Sequence, residues 1–248
     1  MDEVSFTLII LILLVSLQSI VGVGILVLGT PIMLLLEYNM TEILSTLLPI
    51  SILTSLLNFT YFKLKKKKMK IKIDSEIKKY LVVICAPCIA IGLLILKNFE
   101  DDINLNLIIS FVIISSILII SKFRKLLFKW KKKFKIFSLG FIGITHGITN
   151  SGGTILSIVV TALNKQKINQ SRYNITFSYL FLAIFQYLVF IYVFETNFHI
   201  FDARYLFIIV VFGTIIGNVF IKFIKENIIK MLINVLALIS AIFLIIKS

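Results

Sequence analysis

Long runs without charge constrain this chain more than any other feature. Ile43 to Phe62, Asn174 to Phe194 and Ile228 to Ile246 each run about the ~20 residues an α-helix needs to cross a bilayer core. Tyr80 to Leu96, Leu105 to Ser121 and Tyr205 to Ile221 sit near ~17, the lower limit for a span. None carries a charged side chain away from its ends, so six membrane-crossing helices are expected. The chain is 59% hydrophobic, where soluble domains run about 45–50%. No loop between the runs is long enough to enclose a core, which excludes a soluble domain. The opening Met1, Asp2 and Glu3 lack the basic segment that starts a signal peptide. The expected class is an all-α integral membrane protein, multi-pass, in the cell membrane.

The formal charge of +14 invites a nucleic-acid reading, but its placement argues against one. Lysines gather just outside the apolar runs, where they set topology and meet anionic lipid headgroups. Lys63 to Lys79 and Lys122 to Lys135 form two dense basic loops, so both are cytoplasmic. Glu100, Asp101 and Asp102 lie between them and face the outside. Two apolar stretches do not fit a single pass: Val4 to Leu36 is too long, and Ile136 to Leu163 is broken by glycine. If Ile136 to Leu163 enters from the cytoplasm and returns there, the loops around Lys165 and Lys225 also become cytoplasmic. All but Lys97, Arg204 and Lys247 of the 26 basic residues then lie inside, and nine of the 12 acids outside. Treating Val4 to Leu36 as an external hairpin gives two halves of ~15 residues, about 22 Å each, which do not cross. Eight plain helices remain the alternative, at the cost of violating the charge bias in the second half.

The order of Gly-broken hairpin and three helices then occurs twice, with residues 1–121 as the first membrane repeat, 122–135 as a basic cytoplasmic linker and 136–248 as the second. A slide of about 129 residues lays Gly24 on Gly153. A hairpin plus three crossings reverses sidedness, so the repeats are inverted, a recurring transporter layout with broken helices near the midplane.

The breaks carry the chemistry. The first holds Gly22, Gly24, Thr30 and Pro31; the second runs from Gly140 through Gly143, His146, Gly147, Thr149, Asn150, Ser151, Gly152 and Gly153 to Thr154. Unwound backbone cannot face lipid, and half-helix N–H groups favour an anion. Glycines equally let helices pack closely. Packing suits the spacing of Gly140, Gly143 and Gly147; a substrate site suits Asn150 to Gly153. Gln18, Thr30, Thr149, Asn150, Ser151, Thr154 and Gln186 carry donors for an oxyanion. His146, with an ordinary pKa of about 6.5, is either a proton relay or a neutral imidazole bonded to backbone. Cys85-Ala86-Pro87-Cys88 reads as a Pro-containing helix start, with a thiol role as the weaker alternative. No residue set suggests a metal, a cofactor or an enzyme: no acid lies at depth to orient His146, and no His-Glu-x-x-His occurs.

The Gly-rich first segment ending in Pro31, and the segment Gly140 to Gly153 followed by Asn164 to Arg172 and a helix with Phe177, Phe181 and Tyr187, resemble the two motifs of the sulfite exporter TauE/SafE family. The resemblance spans essentially the whole chain. It implies a permease for small anions such as sulfite, sulfonates and related organosulfur anions. The residues themselves give the expected substrate-binding set as Gly22, Gly24, Thr30, Thr149, Asn150, Ser151, Gly152, Gly153 and Thr154, with His146 as the candidate proton relay. A homo-oligomer is compatible with this reading; a passive anion channel or a non-transporting assembly factor are its alternatives. In a background with Cys85 and Cys88 changed to serine, cysteines at positions 165 and 225 are expected to resist a membrane-impermeant thiol reagent in intact cells. Rapid labelling from outside overturns the inverted layout.

Overall fold

The structure is a computed structural model and describes residues 3–21, 25–65, 73–100, 102–122, 132–153, 155–156, 159–160, 168–195, 203–220, 223 and 226–248. All regular structure among them is helical. In chain order the elements are α1 (Glu3–Val21), α2 (Ile25–Leu35), α3 (Met40–Lys65), α4 (Ser75–Tyr80), a π-helical turn (Leu81–Cys85), α5 (Ala86–Phe99), α6 (Leu105–Lys122), α7 (Lys132–Thr149), α8 (Ile168–Phe194), α9 (Ala203–Phe220) and α10 (Glu226–Lys247).

Local chemistry sets the helix ends. Asn39 and Glu42 form a reciprocal capping box at the start of α3, with bonds of 2.8 and 2.9 Å. Asp74 caps α4 by accepting from Glu76 N–H, so the helix starts before the apolar run does. As a result Ser75–Phe99 is one helix of 25 residues, not the marginal span expected from Tyr80 to Leu96. Pro87 is the second residue of α5, at the helix start expected for it, and the π-helical turn joins that start to the residues before it. The widened turn before it, closed by Ala86 N–H on Leu81 C=O, accommodates the missing proline N–H. Three helices end in a left-handed residue that is not glycine: Glu37, Asn150 and Glu195.

Met40–Tyr61, Ser75–Phe99 and Tyr173–Phe194 are long and apolar enough to cross a membrane. Among the described residues the other three expected spans form helices too, α6, α9 and α10, but their apolar stretches are shorter. Phe111, Phe137 and Tyr192 stand exposed at 71%, 72% and 86%, whereas Gln18, His146, Asn150 and Gln186 are buried. Apolar groups outside and polar groups within is the arrangement for a lipid solvent.

Cross-helix contacts order the bundle. Thr7 near the start of α1 meets Tyr38 just beyond α2 at 3.4 Å, and Gln18 near the end of α1 accepts from Ile25 N–H at the start of α2 at 3.3 Å. The two helices are antiparallel and unequal, at 19 and 11 residues, where halves of about 15 were expected. Phe59 stacks on Tyr173 with centroids 4.9 Å apart. These residues lie near the end of α3 and the start of α8, and the two helices pack broadly, so they run antiparallel. The broadest packing crosses between residues 1–121 and 136–248: α1 on α9, α5 on α7, α3 on α8 and α6 on α10.

The α5–α7 seam is a small-residue contact. A Cβ on Gly92 would meet Gly147 Cα at 2.9 Å as well as Ile144 C=O, and one on Gly143 would meet Cys88 Cβ at 2.6 Å and Cys85 C=O at 2.8 Å. Cys85 donates its thiol to Leu139 C=O at 3.2 Å across the same seam. Gly140 is different, with only ordinary contacts at 3.6 Å. Gly92→Ala is therefore expected to destabilise by about 1–3 kcal/mol through overpacking. Gly140→Ala is expected to be neutral or stabilising by up to about 1 kcal/mol. Thermal unfolding in detergent micelles separates the two.

Candidate functional site

The second break begins where α7 stops. Asn150 takes φ 56°, which asparagine tolerates better than most side chains, and its N–H closes on His146 C=O at 2.8 Å. After it the chain folds back along α7. A Cβ on Gly152 would lie 2.8 Å from His146 Cβ and 2.9 Å from Ile142 C=O. A Cβ on Gly153 would run into the hydroxyl and ring of Tyr179. Asparagine makes the turn; the two glycines supply the room for it.

Thr30 in α2 and Asn150 at the second break meet. Asn150 Nδ2 donates to Thr30 Oγ1 at 3.2 Å, joining residues 120 apart in sequence, both fully buried. Gln186 in α8 donates from Nε2 to His146 C=O at 3.2 Å, so the carbonyl that Asn150 N–H closes takes a second bond from a neighbouring helix. Gln18 plays the matching part at the first break. It accepts from Ile25 N–H and donates to Ser55 Oγ at 3.1 Å and Ser51 C=O at 3.4 Å.

These bonds sort the expected donors. Gln18 is engaged at both ends of its amide and has a structural role. Thr149 donates to Thr145 C=O at 2.6 Å and accepts from Ser151 N–H, while Ser151 donates to Thr149 C=O at 3.0 Å, so both hydroxyl protons serve local backbone. Asn150 has its N–H on Thr30, and the atom it leaves free is an acceptor, Oδ1. His146 is fully buried with both ring nitrogens unpartnered, so among the described residues its imidazole bonds to no backbone group. Gly22, Gly24 and Thr154 lie outside the described residues, as do positions 165 and 225.

Sequence inspection missed Tyr179. It is fully buried, its hydroxyl has no partner among the described residues, and it stands against Gly153. A signal existed: Tyr179 and Gln186 are seven residues apart, two helical turns, so they share one face of an otherwise apolar helix. Among the described residues no group of three or more His, Cys, Asp or Glu is placed to hold a metal.

The sequence profile of the sulfite exporter TauE/SafE family matches residues 7–244, nearly the whole chain. The chain belongs to the TauE/SafE family. Neither a curated protein nor a solved structure matches it. Membership makes the chain a membrane transporter of the sulfite-exporter type, and both breaks lie inside the matched TauE/SafE region.

The Thr30–Asn150 bond generates a test of how the two breaks depend on each other. Thr30→Val and Asn150→Ala are expected to be coupled in a double-mutant cycle by about 0.5–3 kcal/mol, read from chemical unfolding in micelles. Strictly additive effects would mean that the breaks do not support each other.

Proposed function

We propose that this protein carries small organosulfur anions, sulfite and sulfonates among them, across the plasma membrane by alternating access. The site is the buried turn where the two helix breaks meet. The Thr30–Asn150 contact carries the reading, because it brings together two interrupted helices at a place with buried polar groups. An anion there would be held by backbone N–H groups around Gly22 to Gly24 and from Gly152 onward, since Thr30, Thr149 and Ser151 donate their hydroxyl protons to backbone carbonyls and Asn150 and Ser151 N–H are engaged. Hydrogen bonds to a charged group contribute about 1.5–3 kcal/mol each, and partly buried helix dipoles up to ~2 kcal/mol. Several such donors offset part of the anion's dehydration and leave affinity weak enough for release.

The layout proposed for this carrier is an inverted pair of repeats, 1–121 and 136–248, joined by 122–135, each opening with a re-entrant hairpin. Three observations support it. α1 and α2 are antiparallel, and α2 with 11 residues rises only about 16 Å of a ~30 Å core. After Asn150 the chain folds back beside His146 and Ile142. In addition, α3 reaches the tip of its hairpin through Asn58 on Ser19 at 3.2 Å, as α8 does through Gln186 on His146 C=O. In this scheme His146 passes the proton that couples transport.

Purified protein in liposomes should accumulate labelled sulfite or a sulfonate against its gradient. Uphill movement distinguishes a carrier from a passive channel, and failure to move any of these anions overturns the proposal. Gly153→Val should abolish flux by driving into Tyr179 while the protein still inserts and binds detergent normally. His146→Gln should flatten the pH dependence of flux and leave binding.

A further inference from the structure

Four side chains round the second break leave polar atoms buried and unpartnered among the described residues: His146 Nδ1 and Nε2, Asn150 Oδ1, Tyr179 Oη and Gln186 Oε1. All four are tied to the same turn. Asn150 N–H and Gln186 Nε2 bond to His146 C=O, Gly152 lies on His146, and Gly153 lies on Tyr179. Such a group of empty valences in an apolar bundle calls for a polar occupant.

Its chemistry follows from which atoms are free. Gln186 faces a backbone carbonyl, which only accepts, so its nitrogen must point there and its oxygen away. Asn150 faces Thr30 Oγ1, whose one proton goes to Leu26 C=O at 2.9 Å, so that hydroxyl also only accepts. The orientation of each amide is thus fixed by its partner, and each leaves its oxygen buried and unpartnered. A neutral His146 adds one donor and one acceptor, and Tyr179 adds a donor. Each amide nitrogen keeps a second N–H beside the one it has spent, whereas each amide oxygen has no partner at all. An anion made only of acceptor atoms would take donors from Tyr179, His146 and these N–H groups but leave both amide oxygens unsatisfied.

We infer that the site takes an anion that brings its own hydrogen-bond donor, an O–H or N–H held by Asn150 Oδ1 and Gln186 Oε1, while its oxyanion end receives Tyr179 O–H and the His146 N–H. This rests on the anion-carrier reading and adds to it a rule for choosing among anions of equal charge.

Ethanesulfonate and 2-hydroxyethanesulfonate test it. Both are monoanions throughout the usable pH range and differ by one O–H. In proteoliposomes the hydroxylated anion should enter at least about tenfold faster, because a site built around acceptors discriminates against a ligand lacking the donor. In Gln186→Met that preference should fall below about threefold. Tyr179→Phe should slow both anions alike and keep the ratio, which provides a second variant where Gln186→Met does not fold. Equal entry of the two anions into wild-type vesicles overturns this inference and leaves anion transport standing. Entry of neither overturns the transport reading and this one with it. A preference that survives Gln186→Met, or that Tyr179→Phe erases, overturns the assignment of the acceptors.

Discussion

A helix interrupted inside an apolar slab exposes amides and carbonyls that neither water nor lipid can satisfy, at several kcal/mol each. The architecture described above follows from how this chain meets that demand. At the first break Gln18 accepts from the leading N–H of α2; at the second, Gln186 donates to His146 C=O near the end of α7. The same residue type does opposite jobs: Gln18 supplies the acceptor that a helix start lacks, and Gln186 adds a second donor to a carbonyl that Asn150 N–H already closes. Asn150 then links the second break to α2 through Thr30. With the backbone cared for by neighbours, the turn is free to keep the side-chain valences of His146, Asn150, Tyr179 and Gln186 open.

The same dependence explains why the two halves interlock. α5 and α7 approach until Gly92 and Gly147 nearly touch, and α9 presses Gly213 and Gly217 onto Val15, Ser16 and Ser19 of α1. Lipid gives helices no hydrophobic reason to associate, so close backbone contact through small residues must hold them. The hairpins are thus clamped by helices from the other half of the sequence.

The three basic residues that charge bias left at the acidic end are informative for the same reason. Lys97 donates to Val193 C=O at the end of α8. Lys247 donates to Leu35 C=O at the end of α2 at 3.2 Å and pairs with Glu37 at 3.1 Å. Both satisfy the unpaired carbonyls of a helix end, where a cation is favoured. Arg204 also has an interaction partner. These two lysines therefore close helix ends.

The sequence by itself determined that the chain is helical, apolar on the outside and broken near Asn150. Uncharged runs, glycine clusters and loop charge are local properties, and they depend on the solvent more than on partners. It also pointed to Thr30, Asn150, Gly152 and Gly153, since polar and small residues stand out in an apolar run. It underestimated Ser75–Phe99, because apolar counting cannot see a polar N-cap at Asp74, and it could not tell that Gln18 and Asn150 turn amide N–H groups to Ser55 and Thr30. Only the tertiary structure decided which hydrogen-bonding atoms remain free. Gln18, Thr149 and Ser151 are used up by partners that composition does not reveal, whereas Tyr179 becomes part of the turn because Gly153 lies against it. A residue's type fixes how many hydrogen bonds it can make; the packing of helices distant in sequence fixes which of them are left for a ligand.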